Sequence, residues 1–160
     1  MKSRSIIAVD TGKSGGFAWK IGDHIASERM PLSDSGILEL ISDLEELPRE
    51  TESPPLEVYV EKVGGYVGIP HSGHSMFTFG RGYGFLIGAF MARGLRLSLV
   101  RPQAWQSTLG TGTKGERTTS QWKNHLKDMA QRLYPDQKIT LSTSDAFLIL
   151  EFARSSPLAD

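Results

Sequence analysis

Three acidic residues stand at the ends of predicted structural elements, where their side chains could do chemistry together. Asp10 follows an apolar run, Glu61 ends a predicted central strand, and Asp145 falls in the first turn of the last predicted helix. In an α/β sheet the first and fourth strands are expected side by side at the centre, so their carboxyl ends share one edge. Carboxylates that converge without histidine or thiolate favour Mg²⁺ or Mn²⁺, and two such ions about 4 Å apart can promote phosphodiester hydrolysis.

The segment around Asp10 allows two interpretations. Residues 6–9 are apolar and mostly β-branched, which predicts a buried strand. A carboxylate at the tip of such a strand is costly to desolvate unless something binds it, and a metal ion is one such partner. A solvated aspartate in a turn before glycine is also common, and this segment alone does not decide between the two.

The rest of the chain predicts the elements that must hold these acids. Strands come first and then alternate with helices, which favours a mixed α/β sheet in a single domain over residues 1–160. Glycines are dense in the loop over 63–73 and in the helix that follows it. The predicted strands cover about 6–10, 15–20, 23–29, 56–61 and 95–100, and the predicted helices cover about 34–47, 75–93, 102–109 and 119–133, with a last helix capped by Ser142 or Ser144.

Composition narrows the class of protein. The chain has 160 residues and no cysteine, which excludes disulfides, thiolate metal sites and cysteine catalysis and fits an intracellular protein. No apolar run approaches the roughly 18–20 residues of a membrane span, and the N-terminus lacks the apolar core of a secretory signal. Net charge is zero, yet residues 1–62 hold 7 Lys/Arg against 12 Asp/Glu and residues 63–160 hold 11 against 6. The basic second part favours a polyanionic partner.

Five segments, in order, resemble the RuvC-type Holliday junction resolvases of the RNase H-like superfamily, particularly the short phage and prophage forms. These segments are AVDTGKSGG (8–16), VYVEKV (58–63), FGRGYG (79–84), VRPQAWQ (100–106) and SDAFLIL (144–150). The resemblance implies an RNase H-like mixed five-stranded sheet flanked by helices. It also implies that Asp10, Glu61 and Asp145 are catalytic and hold Mg²⁺ or Mn²⁺, with two ions per active site.

The same resemblance implies a partner and an assembly. Such a protein is a homodimer that binds four-way DNA junctions and makes symmetric paired nicks in them. Its location would be the cytoplasm, either of a bacterium or of the host in which a phage-encoded protein acts. The glycine-rich helix after residue 75 is the predicted dimer contact, because each glycine inside a helix costs about 1 kcal/mol against alanine. A closely approaching backbone, from a neighbouring helix, a second subunit or a ligand, would explain that composition.

The chain departs from the family pattern at two positions. The family has an acid or a histidine one helical turn before the final aspartate, where this chain has Ser142. Ser142 or the nearby Ser144 could hydrogen-bond a metal-bound water, although neither is a strong metal ligand. Thr11 replaces the proline that commonly follows the first aspartate.

Aromatic and basic residues supply candidate DNA contacts. Tyr66 lies in the glycine-rich loop, where it could stack on a base or fold back on the core. Phe77 and Phe79 behind it are expected to be core or dimer contacts, and His125 a surface residue. As a set, five basic residues favour contact with DNA phosphates, although any one of them could simply be solvated: Arg81, Lys114, Arg117, Lys123 and Lys127.

Three other functions compete with a resolvase. An Asp-x-Gly-x-x-Gly segment after a strand also resembles the phosphate loop of the sugar-kinase, actin and Hsp70 superfamily, but 160 residues leave no room for the second domain that binds ATP. No nucleotide cofactor is therefore expected. A non-catalytic junction-binding protein of the same fold remains open because of Ser142. So does an RNase H-like nuclease that acts on RNA or on other branched DNA.

Overall fold

One mixed sheet organises the chain, and its strands are ordered β3-β2-β1-β4-β5. The computed structural model describes residues 4–64 and 71–156. The strands are β1 (Ser5–Asp10), β2 (Gly16–Ile21), β3 (His24–Arg29), β4 (Leu56–Glu61) and β5 (Arg96–Val100). The first three form an antiparallel meander, while β4 runs parallel to both β1 and β5. The predicted meander and the predicted central pairing of the first and fourth strands are confirmed.

Helices cover both faces of this sheet. They are α1 (Asp34–Glu50), α2 (Gly73–Ala92), α3 (Pro102–Leu109), α4 (Thr119–Leu133) and α5 (Ser144–Ser155). Side chains alternate along β1, so Ile6 and Ala8 join the core under α3, α4 and α5, whereas Ile7 and Val9 join the core under α1 and α2. None of the helices in the described ranges is long and apolar enough to cross a membrane.

Local sequence explains where the helices begin. The hydroxyl of Ser33 accepts a hydrogen bond from the backbone N–H of Gly36, and Thr118 forms a capping box with Gln121. Pro102 occupies the first turn of α3, where its missing N–H leaves no bond unmade. The first helix ends three residues later than the predicted position 47, at Glu50.

The glycines within α2 have open space beside them. A Cβ placed on Gly80, Gly82, Gly84 or Gly88 would meet nothing within 4 Å among the described residues. No neighbouring helix within those residues therefore accounts for the glycines. The sequence allowed three explanations for these glycines, and two of them remain: close approach of a second subunit or of a ligand.

At two positions next to β1, only glycine fits without a steric clash. A Cβ on Gly15 would lie 2.1 Å from the carbonyl oxygen of Asp10, and one on Gly16 would lie 2.8 Å from the carbonyl oxygens of Glu28 and Ser142. Because Gly15 has no Cβ, the turn after β1 can fold back closely against the end of that strand. The missing Cβ of Gly16 likewise lets the backbone at Ser142, before α5, lie close to β2.

Candidate metal and nucleic-acid site

Strand register brings two of the predicted acids to one edge. Val9 pairs with Val60 in the parallel β1–β4 ladder, so Asp10 and Glu61 are the next residues along two adjacent strands. The backbone N–H of Lys62 bonds the carbonyl oxygen of Val100 at 2.6 Å, which continues the ladder past Glu61. Both side chains therefore end at the carboxyl edge of the sheet, as predicted.

The last helix brings the third acid to the same edge. Residues Ala146 to Leu150 of α5 are buried against the sheet, and Asp145 lies in the first turn of that helix. This packing directs the beginning of α5 towards the ends of β1 and β4. We refer to Asp10, Glu61 and Asp145 together as the acidic cluster.

Burial and mutual repulsion act on the acidic cluster. Burial, followed by the charges of Asp145 and Glu61, raises the pKa of Asp10 well above its usual value, and Lys123 lowers it. Burial, with a smaller contribution from the charge of Asp145, raises the pKa of Glu61 to about 7 against the lowering effect of a hydrogen bond from Trp105. The pKa of Asp145 rises to about 6 through burial, while Lys123 and a hydrogen bond with Ser144 lower it. Because Asp145 and Glu61 raise the pKa of Asp10, and Asp145 raises that of Glu61, negative charge is concentrated here and attracts cations.

The donors of the acidic cluster fit Mg²⁺ or Mn²⁺. In the described ranges, no three His, Cys, Asp or Glu side chains stand close enough to surround one ion. Mg²⁺ does not require such a cage, because it usually binds one or two carboxylates together with water and substrate phosphates. Burial and neighbouring negative charge both make ionisation of these carboxyls unfavourable. A bound divalent cation would offset that cost, and cation binding would therefore be favourable here.

The structure distinguishes the two serines before the final acid. Ser144 is buried, and its hydroxyl donates to the backbone carbonyl of Leu141 at 3.4 Å. Ser142 contributes its backbone carbonyl beside Gly16. The prediction that Ser142 or Ser144 hydrogen-bonds a metal-bound water stays a prediction for both residues.

One cavity reaches Glu61 of the acidic cluster. It has a volume of about 420 Å³ and is lined by Thr11, Glu61, Phe79, Arg101 and Gln103 with their neighbours. A second cavity of about 430 Å³ shares Thr11 and Phe79 with it. Phe79, whose ring lies 3.0 Å from a Cβ placed on Gly12, thus stands between the two cavities beside the turn that follows Asp10.

Two predicted DNA contacts lie on the segment before α4 and interact there with its backbone and side chains. The ammonium of Lys114 bonds the hydroxyl of Thr119 at 3.2 Å, and Arg117 donates to the carbonyl of Thr113 at 2.9 Å. The guanidinium of Arg117 also lies 5.6 Å from the centre of the Trp122 ring. These exposed cations are held near the start of α4, and their contact with DNA stays a prediction.

The other three predicted basic contacts differ in their surroundings. Lys123 is exposed on α4 and close enough to Asp10 and Asp145 to lower their pKa values, so it lies beside the acidic cluster. Lys127 follows one helical turn later on α4. Arg81 instead forms a two-bond ion pair with Asp34, with N–O distances of 2.5 and 3.2 Å. Its guanidinium is therefore engaged within this chain.

The predictions for the aromatic side chains and for His125 had different outcomes. Tyr66 lies outside the described residues, so its stacking role stays a prediction. Phe77 is 72% exposed, which makes the expectation of a core position wrong and leaves the dimer contact. His125 is half-buried, not a free surface residue, because its ring stacks on Trp122 and its Nε2 lies 2.8 Å from the carbonyl of Thr111.

Sequence reasoning did not identify two functional candidates. Trp105 enters the resemblance only as part of a matching segment, yet its indole donates to Glu61 at 2.9 Å. A buried tryptophan usually finds a hydrogen-bond acceptor, and that tendency was the available signal. Arg101 lines the cavity beside Glu61, and its position directly after β5, which pairs with β4, placed it at the same sheet edge.

Comparison with known proteins supports the fold. No protein-family model matches the chain, and a search of the curated proteins gives no match. Among solved structures, RuvC from Thermus thermophilus aligns with a TM-score of 0.55 and 12% identity over 92% of each chain. T. thermophilus RuvC in complex with Holliday junction substrate aligns with a TM-score of 0.56 and 11% identity, over 94% of this chain and 92% of that one. The predicted RNase H-like fold is thus confirmed.

Proposed function

We propose that this chain is a metal-dependent endonuclease that cuts four-way DNA junctions by symmetric paired nicks. One observation carries the proposal: carboxylates from three separate elements gather at one sheet edge, where they repel one another and no basic side chain forms an ion pair with them among the described residues. Such an arrangement is unfavourable for folding and suits a cation. It occurs in a chain with the fold of RuvC.

The chain's own residues would divide the work at this site. Asp10, Glu61 and Asp145 would hold two Mg²⁺ or Mn²⁺ ions, which supply an activated water and stabilise the leaving oxygen of a phosphodiester. Trp105 donates a hydrogen bond to the carboxylate of Glu61, and Ser144 precedes Asp145 at the start of α5. The cavity beside Glu61 admits the substrate strand, and Arg101 in its wall adds a positive charge for the phosphate.

Branched DNA is the proposed substrate. The T. thermophilus relative is described in complex with Holliday junction substrate, and we extend that partner to this chain. Lys114, Arg117, Lys123 and Lys127 lie along α4 and the segment before it, where they can follow a phosphate backbone. Tyr66 is the proposed stacking residue.

A second copy of the chain is the proposed partner on α2. Phe77 is 72% exposed and Met91 is 65% exposed on this helix, whose glycines also face open space. Exposed large apolar side chains beside glycines suit close packing of two helices. A dimer would present two acidic clusters, one for each of the paired nicks.

Replacement of Asp10 tests the site directly. Asp10→Asn should abolish Mg²⁺-dependent cutting of a labelled junction, because the cluster loses a charged ligand, while junction binding in a mobility-shift assay persists. Asp23→Asn is the matched control, since Asp23 lies in the β2–β3 turn at the far end of the sheet. Cutting by Asp10→Asn at the wild-type rate would contradict the site. Binding without cutting by the wild-type protein would indicate a non-catalytic junction-binding protein.

A further inference from the structure

The indole of Trp105 makes a direct contact with the acidic cluster from inside the core. Trp105 is only 1% exposed, and its Nε1–H donates to Oε2 of Glu61 at 2.9 Å. The carboxylate of Glu61 has a second oxygen, which this bond leaves unused. The bond joins residues 44 positions apart in sequence, so it exists only because α3 packs beside β4.

Packing fixes the direction of this N–H group. The fifth strand ends at Val100, and α3 begins immediately with Pro102, so Trp105 follows within the first turns of the helix. Its ring belongs to the core between the sheet and α5, together with Tyr59, Val100 and Phe147. A ring enclosed on all sides cannot swing, and the position of its N–H is therefore determined before any ligand arrives.

The need of the Trp105 indole for a hydrogen-bond acceptor does not explain why that acceptor is the carboxylate of Glu61. Trp19 shows that this chain keeps another indole buried at 7% exposure with no hydrogen-bond partner for its Nε1. A backbone carbonyl would satisfy Trp105 at lower cost than a carboxylate, which must itself be desolvated. The bond is better explained by what it does for Glu61 than by what it does for the tryptophan.

We propose that Trp105 is a positioning residue that fixes the carboxylate of Glu61, so that one oxygen is held by the indole and the other is presented to a divalent cation. This inference rests on the proposed function, in that the cation is Mg²⁺ or Mn²⁺. It deepens the proposal by naming a residue that touches neither cation nor DNA. Without the indole, the free carboxylate samples several rotamers, and binding must select the right one.

The expected loss of metal affinity can be taken from other proteins in which a hydrogen bond orients a metal ligand. Loss of a partner that orients a ligand typically costs 10–100-fold in metal affinity or activity. Trp105→Phe removes the N–H and keeps an aromatic ring in the core. We therefore expect about a 10–100-fold increase in the Mn²⁺ concentration that half-saturates the protein.

Metal binding without DNA provides the first test. Free Mn²⁺ is measured by electron paramagnetic resonance during titration of wild type, Trp105→Phe and the control Trp19→Phe. Trp19→Phe also removes a buried indole N–H, but one with no partner and in the other core, so it should bind Mn²⁺ like wild type. Wild-type affinity in a folded Trp105→Phe would overturn the inference. An equal loss in both variants would also overturn it, since general loosening of the core would then explain the result.

Indole resonances of the wild-type protein provide a test that does not need a folded Trp105→Phe. The chain has three tryptophans, so its nitrogen–proton spectrum contains three indole peaks. Trp19→Phe and Trp122→Phe assign two of them, and the third belongs to Trp105. Addition of Mg²⁺ should shift the Trp105 peak strongly, because its acceptor becomes a ligand, and leave the Trp19 peak in place. A Trp105 peak that stays in place at Mg²⁺ saturation would refute the role.

Failure of this inference differs from failure of the proposed function. If wild type cuts junctions and Trp105→Phe keeps full Mn²⁺ affinity, only the role of Trp105 is wrong. If metal affinity depends on Trp105 but wild type cuts no junction, the role of Trp105 stands and the nuclease function is wrong. Absence of any Mn²⁺ binding by wild type would overturn both.

Discussion

Replacement of Glu61 by glutamine should make the metal-free protein more stable at neutral and alkaline pH. The pKa of Glu61 is raised to about 7, chiefly by burial, from an ordinary value of 4.5. The difference is about 2.5 units, and at 1.36 kcal/mol per unit it corresponds to about 3 kcal/mol of unfavourable free energy once the group is ionised. Glutamine carries no charge, and its carbonyl oxygen can still accept the Trp105 hydrogen bond.

The sign of the pH dependence follows from the direction of this shift. Glu61 holds its proton more tightly in the folded state than in the unfolded state. Between about pH 4.5 and pH 7 the folded protein therefore binds more protons than the unfolded protein. The free energy of unfolding of the wild-type protein therefore falls as the pH rises through that window, and the penalty is complete above it. The Glu61→Gln variant should lose most of this slope and gain up to about 3 kcal/mol at about pH 8.

Urea unfolding in the presence of a chelator measures the effect, with circular dichroism at about pH 5 and about pH 8. Glu57→Gln is the matched control, because Glu57 accepts hydrogen bonds from Arg4 in an ion pair and is not part of the acidic cluster. That variant should be destabilised by about 1–3 kcal/mol at pH 8. A Glu61→Gln variant no more stable than wild type at about pH 8 would refute the electrostatic reasoning, provided that Glu57→Gln behaves as expected.

Three further predictions concern packing, DNA backbone contact and base stacking. Gly16→Ala should lower the free energy of unfolding by about 1–3 kcal/mol, measured by urea titration, because its Cβ would press on the carbonyls of Glu28 and Ser142; wild-type stability would contradict this contact. Lys127→Ala should reduce the slope of log affinity for junction DNA against log salt concentration by about one, and an unchanged slope would remove Lys127 from the DNA surface. Tyr66→Ala should slow the cutting of intact junctions without changing the thermal unfolding midpoint, and equal cutting would return Tyr66 to a structural role.

Much of the fold could be predicted because local sequence specifies it. The continuous buried run of β1, the capping residues at helix starts, and the positions of Asp10 and Glu61 at strand ends are all set within a few residues of sequence. Once parallel pairing of two strands is assumed, their carboxyl ends must meet. Convergence of the acids follows from that rule and from the beginning of α5.

Side-chain partners distant in sequence could not be predicted. The Trp105–Glu61 bond and the Arg81–Asp34 ion pair span 44 and 47 residues, and each depends on how a helix lies against the sheet or another helix. A shift of one residue in helix position would exchange these partners for others. His125 shows the same limit, since its place on α4 indicated a surface residue until the carbonyl of Thr111 came within 2.8 Å.

The central claim is tested most directly by incubating the protein with a labelled synthetic four-way junction and, separately, with a linear duplex of the same sequence. Each substrate is incubated with Mg²⁺, with Mn²⁺ and with chelator, and the products are resolved on a denaturing gel. We predict paired, symmetric nicks in the junction alone, with either metal, and none with chelator. Cutting that continues in chelator would contradict the metal site, and equal cutting of both substrates would contradict the junction as the substrate.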